Sequence, residues 1–242
     1  MNRRAFIAGL GSAAAWPVVA RAQQALPVVG VLIGGTAQPD GTGFVEGNMA
    51  ALRKGLSETG FVEGNNVEIL LLGAEWQYDR LPALAAELVR RRVAVICALW
   101  NASAQVAKST TETLPVVFVV GGDPVQLGLV ASLNRPDANV TGVYILSAAL
   151  VQKRLQLLHE IAPAARTVGF LFNPTSPQKD FDLREVETAA RILGVTTVTL
   201  SAPTPSEIET ALAPIKGQSI NALLIGNDAM FYDPAAMARL VE

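Results

Sequence analysis

Eight short runs of β-branched and aliphatic residues, separated by amphipathic segments, constrain the fold of this chain more than any other feature. They are Val28–Ile33, Val67–Leu72, Val93–Leu99, Pro115–Val120, Val140–Leu146, Thr167–Phe172, Thr196–Leu200 and Ala222–Ile225. Most are apolar throughout rather than alternating, the pattern of parallel strands covered on both faces. Between them, Val45, Met49, Leu52 and Leu56 form a stripe at helical spacing. Leu81, Leu84, Ala85, Leu88 and Val89 form a second, and Val186, Ala189, Ala190 and Leu193 a third. Gly60 and Gly194 follow their stripes as C-terminal stops. Thr204-Pro205-Ser206-Glu207 reads as a capping box with proline at the first helical position. Repeated β-α-β units of this kind predict an α/β fold of doubly wound parallel sheets.

The series breaks after Leu146. Ser147-Ala148 leads into a stripe of Val151, Leu155 and Leu158, and the β-α pattern then restarts at Thr167. Val29-Gly30-Val31-Leu32-Ile33 and Val168-Gly169-Phe170-Leu171-Phe172 are alike, and each opens a strand–loop–helix unit. Two similar lobes are expected, residues 26–146 and 147–242. The first has five strands and the second only three. The chain stops at Ala236–Glu242 within a helical pattern, so the second lobe is expected to be incomplete and the sequence a fragment. Its sheet is then expected to have an unpaired edge at Ala222–Ile225, an aggregation hazard.

The first 22 residues read as an export signal: Asn2-Arg3-Arg4-Ala5-Phe6-Ile7, a small-residue apolar run from Ala8 to Ala20, then Ala20-Arg21-Ala22 before Gln23. Paired arginines and a run diluted with Gly and Ala match the twin-arginine type. The run is too short for a membrane span of roughly 20 residues. The mature chain is therefore expected to begin at Gln23, in the periplasm, with no stable membrane insertion. Cleavage removes Arg3, Arg4 and Arg21 and no acid, leaving 16 basic against 21 acidic side chains, a net charge of −5. That balance opposes a sequence-independent grip on nucleic acid, which needs clustered Lys and Arg.

Cys97 and His159 are the only residues of their types. Cys97 lies in an apolar strand, as a small buried hydrophobe. His159 shares a polar helix face with Gln152 and Gln156. No disulfide, no nitrogen–sulfur metal cluster and no cofactor follow from such a set. A Cys–His pair or a Ser–His–acid triad would have to use one of these two poorly placed residues. No G-x-G-x-x-G follows a strand, and neither a phosphate-binding G-x-x-x-x-G-K-[ST] nor a G-x-S-x-G elbow occurs.

In an open α/β sheet a ligand sits beyond the carboxyl ends of the strands. The loops there begin with Gly34-Gly35-Thr36, Trp100-Asn101-Ala102-Ser103 and Gly121-Gly122-Asp123-Pro124 in the first lobe. Asn173-Pro174-Thr175-Ser176 and Gly226-Asn227-Asp228 follow in the second. Small residues beside short polar ones at helix starts offer backbone N–H groups to an anion. Asp123-Pro124 and Asp233-Pro234 also read as ordinary N-cap pairs, and Asn101 or Ser103 as a cap. The candidate ligand-binding residues are Gly35, Thr36, Trp100, Asn101, Ala102, Ser103, Gln105, Asp123, Tyr144, Asn173, Asn227 and Asp228. A carboxylate is expected at the backbone amides of Ala102–Gln105, and an ammonium at Asp123 or Asp228. Trp100, Tyr144 or Phe231 would cover an apolar group.

Three stretches resemble a known family: Gln77-Tyr78-Asp79-Arg80-Leu81-Pro82-Ala83-Leu84-Ala85-Ala86-Glu87-Leu88-Val89, Pro115 to Val125, and Leu127 to Val143. They are similar to the ABC-transporter substrate-binding proteins, the group with tryptophan-binding members. Ala14-Ala15-Trp16-Pro17 and Ala20-Arg21-Ala22-Gln23-Gln24 resemble the leader of many soil-bacterial members. The resemblance implies a two-lobed periplasmic binding protein of type I-like architecture, with no catalytic activity. It implies lobes that close on a small-molecule solute and deliver it to an ABC permease at the inner membrane, and that about the last quarter of the family's chain is missing. Members often carry a Thr/Gly-Pro-Ala-Ala turn where this chain has Asn101-Ala102-Ser103-Ala104. The rival readings are an exported α/β enzyme, which would need a nucleophile–base pair or a cofactor loop, and a sensor module presenting bound ligand to a receptor.

Overall fold

Alternate residues of β1 (Val28–Ile33) enter two different hydrophobic clusters: Val29, Val31 and Ile33 one, Leu32 the other. A strand buried on both faces is what a continuous apolar run encodes. The computed structural model describes residues 26–37, 44–134, 139–147, 150–217 and 219–241. The expected export signal lies outside them.

The first sheet is parallel throughout, in the order β2-β1-β3-β4-β5. Its other strands are β2 (Glu68–Gly73), β3 (Val95–Leu99), β4 (Val116–Val120) and β5 (Val140–Tyr144). Helix α1 (Phe44–Glu58) covers one face with Val45, Met49, Leu52 and Leu56. Helices α2 (Leu81–Arg90) and α3 (Asn101–Thr110) cover the other with Leu81, Ala85, Leu88, Ala104 and Ala107. Fully burying a side chain such as Leu88 contributes about 1.5–3 kcal/mol.

The second sheet is also parallel, in the order β7-β6-β8, with β6 (Thr167–Phe172), β7 (Thr196–Ser201) and β8 (Ala222–Ile225). Helices α4 (Val151–Ile161) and α5 (Lys179–Leu193) cover one face. Helices α6 (Ile208–Leu212) and α7 (Pro234–Val241) lie against the other. Both sheets begin with the same winding: the second strand pairs on one side of the first and the third strand on the other. Each therefore has a switch point, between β1 and β3 and between β6 and β8, where two successive loops diverge and leave a crevice.

All eight expected strands are present with small shifts at their ends. β5 stops at Tyr144, and Leu146 beyond it takes φ 61° and leaves the extended region. Gly194 is the left-handed C-cap of α5. The expected capping box differs in detail: Thr204 Oγ1 donates to Glu207 Oε2 at 2.7 Å, without bonding a backbone N–H, and Pro205–Glu207 form a 3-10 turn before α6. His159 is partly buried rather than solvated, with Nδ1 lacking a partner among the described residues. Cys97 packs in the α1-side cluster, and burial pushes its thiol up to about 11.

Candidate functional site

The carboxyl-end loops of the two sheets meet. On the first lobe, the loop after β2 bonds along the loop after β1: Ala74 N–H donates to the Ile33 carbonyl at 3.1 Å, Glu75 N–H to Gly35 at 3.0 Å and Trp76 N–H to Gly34 at 2.7 Å. Glu75 and Trp76 sit at φ 54° and 64° to make this turn. The result carries Trp76 out of its own lobe and into the core cluster of the second, beside Met230 and Phe231. Gly34 and Gly35 leave the room required. A Cβ on Gly34 would stand 2.5 Å from Tyr78 Cε1, and one on Gly35 2.9 Å from the Trp76 ring.

The β3 loop adds Trp100, at φ 71° and ψ 167°, immediately before α3. For a residue with a Cβ this backbone conformation is costly, and such strain persists only where surroundings hold it. The Trp100 ring stacks on Tyr232 of the second lobe, with centroids 5.4 Å apart and planes at 21°. Asn101 is buried. Its Oδ1 accepts from Gly121 N–H and Gly122 N–H, both at 3.1 Å, which fixes the loop after β4. Its Nδ2 donates across the seam to Gln178 Oε1 at 2.7 Å.

Two more bonds tie the seam, the first across the lobes and the second to Ser147 at their junction. Tyr78 Oη donates to Asp228 Oδ1 at 2.8 Å, and Asn227 Nδ2 donates to Ser147 Oγ at 3.0 Å. Ser147 Oγ in turn donates to the Gly121 carbonyl at 3.2 Å. Gly121 and Gly122 are where the second lobe comes close to first-lobe backbone: a Cβ on Gly121 would lie 2.8 Å from Asn227 Nδ2, and one on Gly122 would collide with Gln178 Oε1.

Asp228 is the buried carboxyl at the centre. It caps the 3-10 turn Ala229–Tyr232 by accepting from Met230 N–H at 3.1 Å, and it also accepts from Asn173 Nδ2 at 3.3 Å. Burial raises its pKa, and the donors Tyr78, Met230 N–H, Asn173 and Ser176 oppose that shift. Burial first, then the Asp228 charge, holds the Tyr78 phenol well above its ordinary range, so it stays a donor. Among the described residues no group of three or more His, Cys, Asp or Glu is placed to hold a metal ion. Nor is any helix among them long and apolar enough to cross a membrane.

Of the residues expected from sequence, Gly35, Trp100, Asn101, Asn173, Asn227 and Asp228 are gathered at this seam. Ala102 is half-buried in the first turn of α3, and Ser103 is buried there with Oγ unpartnered among the described residues. The others are differently engaged. Thr36 is exposed. The N–H of Ala104, within the run expected to hold a carboxylate, donates to the Trp100 carbonyl at 3.0 Å and is already spent on the helix. Gln105 Nε2 donates to the Leu127 carbonyl at 2.8 Å. Asp123 Oδ1 accepts from Val125 N–H at 2.7 Å and Gln126 N–H at 3.2 Å, capping a turn rather than a helix. Asp123 also borders a cavity of about 600 Å³ that Gln126 and Leu127 share with Pro177, Gln178 and Phe181 of the second lobe. Tyr144 packs on its own lobe's core, its phenol raised by burial and then by the Asp123 charge. Asp233 Oδ1 accepts from Ala236 N–H at 3.3 Å, as an N-cap of α7.

Trp76, Tyr78, Ser147, Gln178 and Tyr232 were not among the expected site residues. The carboxyl-end rule finds Trp76 and Tyr78 once it is applied to the loop after β2 as well. Gln178 and Tyr232 carry no such signal: Gln178 lies in a polar turn that reads as an ordinary helix start, and Tyr232 ends an apolar turn, Ala229–Tyr232, just before the Asp233-Pro234 pair.

Two parallel doubly wound lobes, joined through their switch-point loops around a buried carboxyl and a set of aromatic and amide side chains, define a solute-binding architecture of the periplasmic type I kind. Residues 44–233 match the family model for ABC transporter substrate binding protein, and the chain belongs to that family. Its members bind small solutes, are not enzymes, act with ABC permeases and are generally extracellular or periplasmic. A tyrosine-binding protein of Clostridioides difficile (strain R20291) is 26% identical over 175 residues, 72% of this chain and 50% of that protein. The chain thus spans half the length of this curated relative. The crystal structure of a conserved domain protein from Vibrio cholerae O1 biovar El Tor superposes with a TM-score of 0.76 at 24% identity, covering 89% of this chain and 69% of that one. An ABC domain in complex with L-Trp from Streptococcus pneumonia gives a TM-score of 0.72 at 22% identity, with 88% and 70% covered.

Proposed function

We propose that this protein is the periplasmic solute-binding component of an ABC importer. Its lobes, residues 26–146 and 147–242, would capture a small carboxylate-bearing solute between them, an amino acid or an aromatic acid. The observation that carries this reading is that each switch point ends in a buried polar group: the Asp228 carboxyl in the second lobe and, at the start of α3 in the first, the Ser103 hydroxyl, which has no partner among the described residues. A solute carboxylate accepts from the first-turn N–H groups of Ala102 and Ser103 and from Ser103 Oγ, where the helix dipole favours negative charge. Its ammonium docks against Asp228, and Trp100 and Phe231 cover its side group. The aromatic side chains at the seam and the tyrosine-binding relative favour an aromatic amino acid.

Closure of the lobes over the solute would present both faces to a permease at the inner membrane. Export with cleavage after Ala22 would deliver the mature protein to it. Calorimetry on the full-length mature protein with L-tyrosine, L-tryptophan and benzoate tests the reading. Saturable binding of at least one is expected, weakened tenfold or more by Asp228→Asn; absence of binding by all three overturns it.

A further inference from the structure

A second buried carboxyl, that of Asp182 in the first turn of α5, lies within reach of the Asp228 charge; the two aspartates are 5% (Asp182) and 7% (Asp228) exposed. They are unequally supported. Asp228 Oδ1 accepts from Tyr78, Asn173 and Met230 N–H. Asp182 faces one such donor, the backbone N–H of Asn227, and its Oδ1 is buried without a partner among the described residues. Donors hold a carboxylate in its charged form, and a buried carboxyl that lacks them keeps its proton. The charged groups facing Asp182 are Arg154 from α4, Glu185 from its own helix and Asp228 from the loop after β8. Arg154 also donates to the Ile225 carbonyl at 2.8 Å, and Glu185 accepts from Gln152 at 2.7 Å. Burial, the largest influence, pushes Asp182 up to about 7.

We propose that Asp182 holds a proton while Asp228 carries the charge, and releases it to solvent when the ammonium group of a solute docks against Asp228. The inference rests on the cleft being a solute site. An added positive charge beside two carboxyls makes a second negative charge tolerable, so the Asp182 O–H ionises and no other bond changes. Because the bound state then carries fewer protons, binding tightens as pH rises through about 7. Asp182 thereby makes the site selective for cationic solute groups and reports occupancy as a proton. The backbone N–H of Asn227 ties it to the residue whose side chain reaches Ser147 at the junction of the lobes.

Two measurements on the full-length mature protein and its Asp182→Asn variant test this. The substituted amide keeps an oxygen for the Asn227 N–H and removes the titrating proton. In an infrared pH titration without solute, a carboxyl titrating near 7 is expected in the parent and absent in the variant. Parent carboxyls that all titrate below about 5 overturn the proposal whatever the cleft binds. Calorimetry with L-tyrosine and L-tryptophan at pH 7, in buffers of different ionisation enthalpy, is expected to show several tenths of a proton released per solute bound to the parent and none with the variant. Affinity should rise about five- to tenfold from pH 6 to 8 in the parent alone. Binding without proton release overturns the coupling and leaves the solute reading intact; failure of both probes to bind overturns the two together.

Discussion

Tyr78 Oη, at the carboxyl end of the first lobe's second strand, donates to Asp228 Oδ1 of the second lobe at 2.8 Å. A phenol half-buried in one lobe thus satisfies a carboxyl buried in the other, and neither finds that partner when the lobes part. Tyr78→Phe keeps the ring against Gly34 and removes only the hydroxyl. A hydrogen bond to a charged group contributes about 1.5–3 kcal/mol. The expected result is solute binding weakened about tenfold or more, and a larger radius of gyration in solution scattering. Unchanged affinity and scattering would show that the bond carries no weight in closure.

Gly122 fits against Gln178 only because it has no Cβ. Gly122→Ala should force the seam apart at Asn101 and Gln178 while leaving each sheet intact. The double variant Gly122→Ala/Gln178→Ala clears the collision and should restore the parent scattering profile. If the double variant is as open as the single one, the clash lies elsewhere in the first lobe.

Trp100 is predicted to show an inverted preference for glycine. In most positions Gly is about 0.5–1 kcal/mol less favourable than Ala. At φ 71° and ψ 167° that order should reverse, because a Cβ is what the conformation penalises. Urea unfolding of Trp100→Gly and Trp100→Ala measures this directly, since both variants lose the Tyr232 stack equally. A more stable alanine variant would mean that the turn relaxes once the ring is gone.

Export is tested at the other end of the chain. With Arg3 and Arg4 both replaced by lysine, precursor should accumulate in the cytoplasm. The exported parent should begin at Gln23. Undiminished export of the double-lysine chain would point to the general secretory route.

The inner strands were legible because they are buried on two faces, and Val29-Gly30-Val31-Leu32-Ile33 has no polar position to confuse the reading. The positions of Asn101, Asn173, Asn227 and Asp228 followed from the carboxyl-end rule alone. Their partners did not. Gln178 lies 77 residues from Asn101, and Tyr78 lies 150 from Asp228. A polar residue that faces another lobe has the same local sequence as one that faces water, so pairing across a seam leaves no periodicity to detect. Asp123 shows the converse: a strong local signal, Asp before Pro, that its own turn consumes.

The chain holds three tryptophans, Trp16 in the expected leader and Trp76 and Trp100 in the mature protein. Both mature residues sit on the seam, Trp76 set into the opposite lobe's core and Trp100 stacked on its Tyr232. The protein therefore carries its own optical gauge. When the lobes part, both indoles move from apolar packing into water, and the third tryptophan of these 242 residues, Trp16, lies in the expected leader. Opening and closing can be followed in the unlabelled protein, at equilibrium or in a stopped-flow cell, from its intrinsic fluorescence alone.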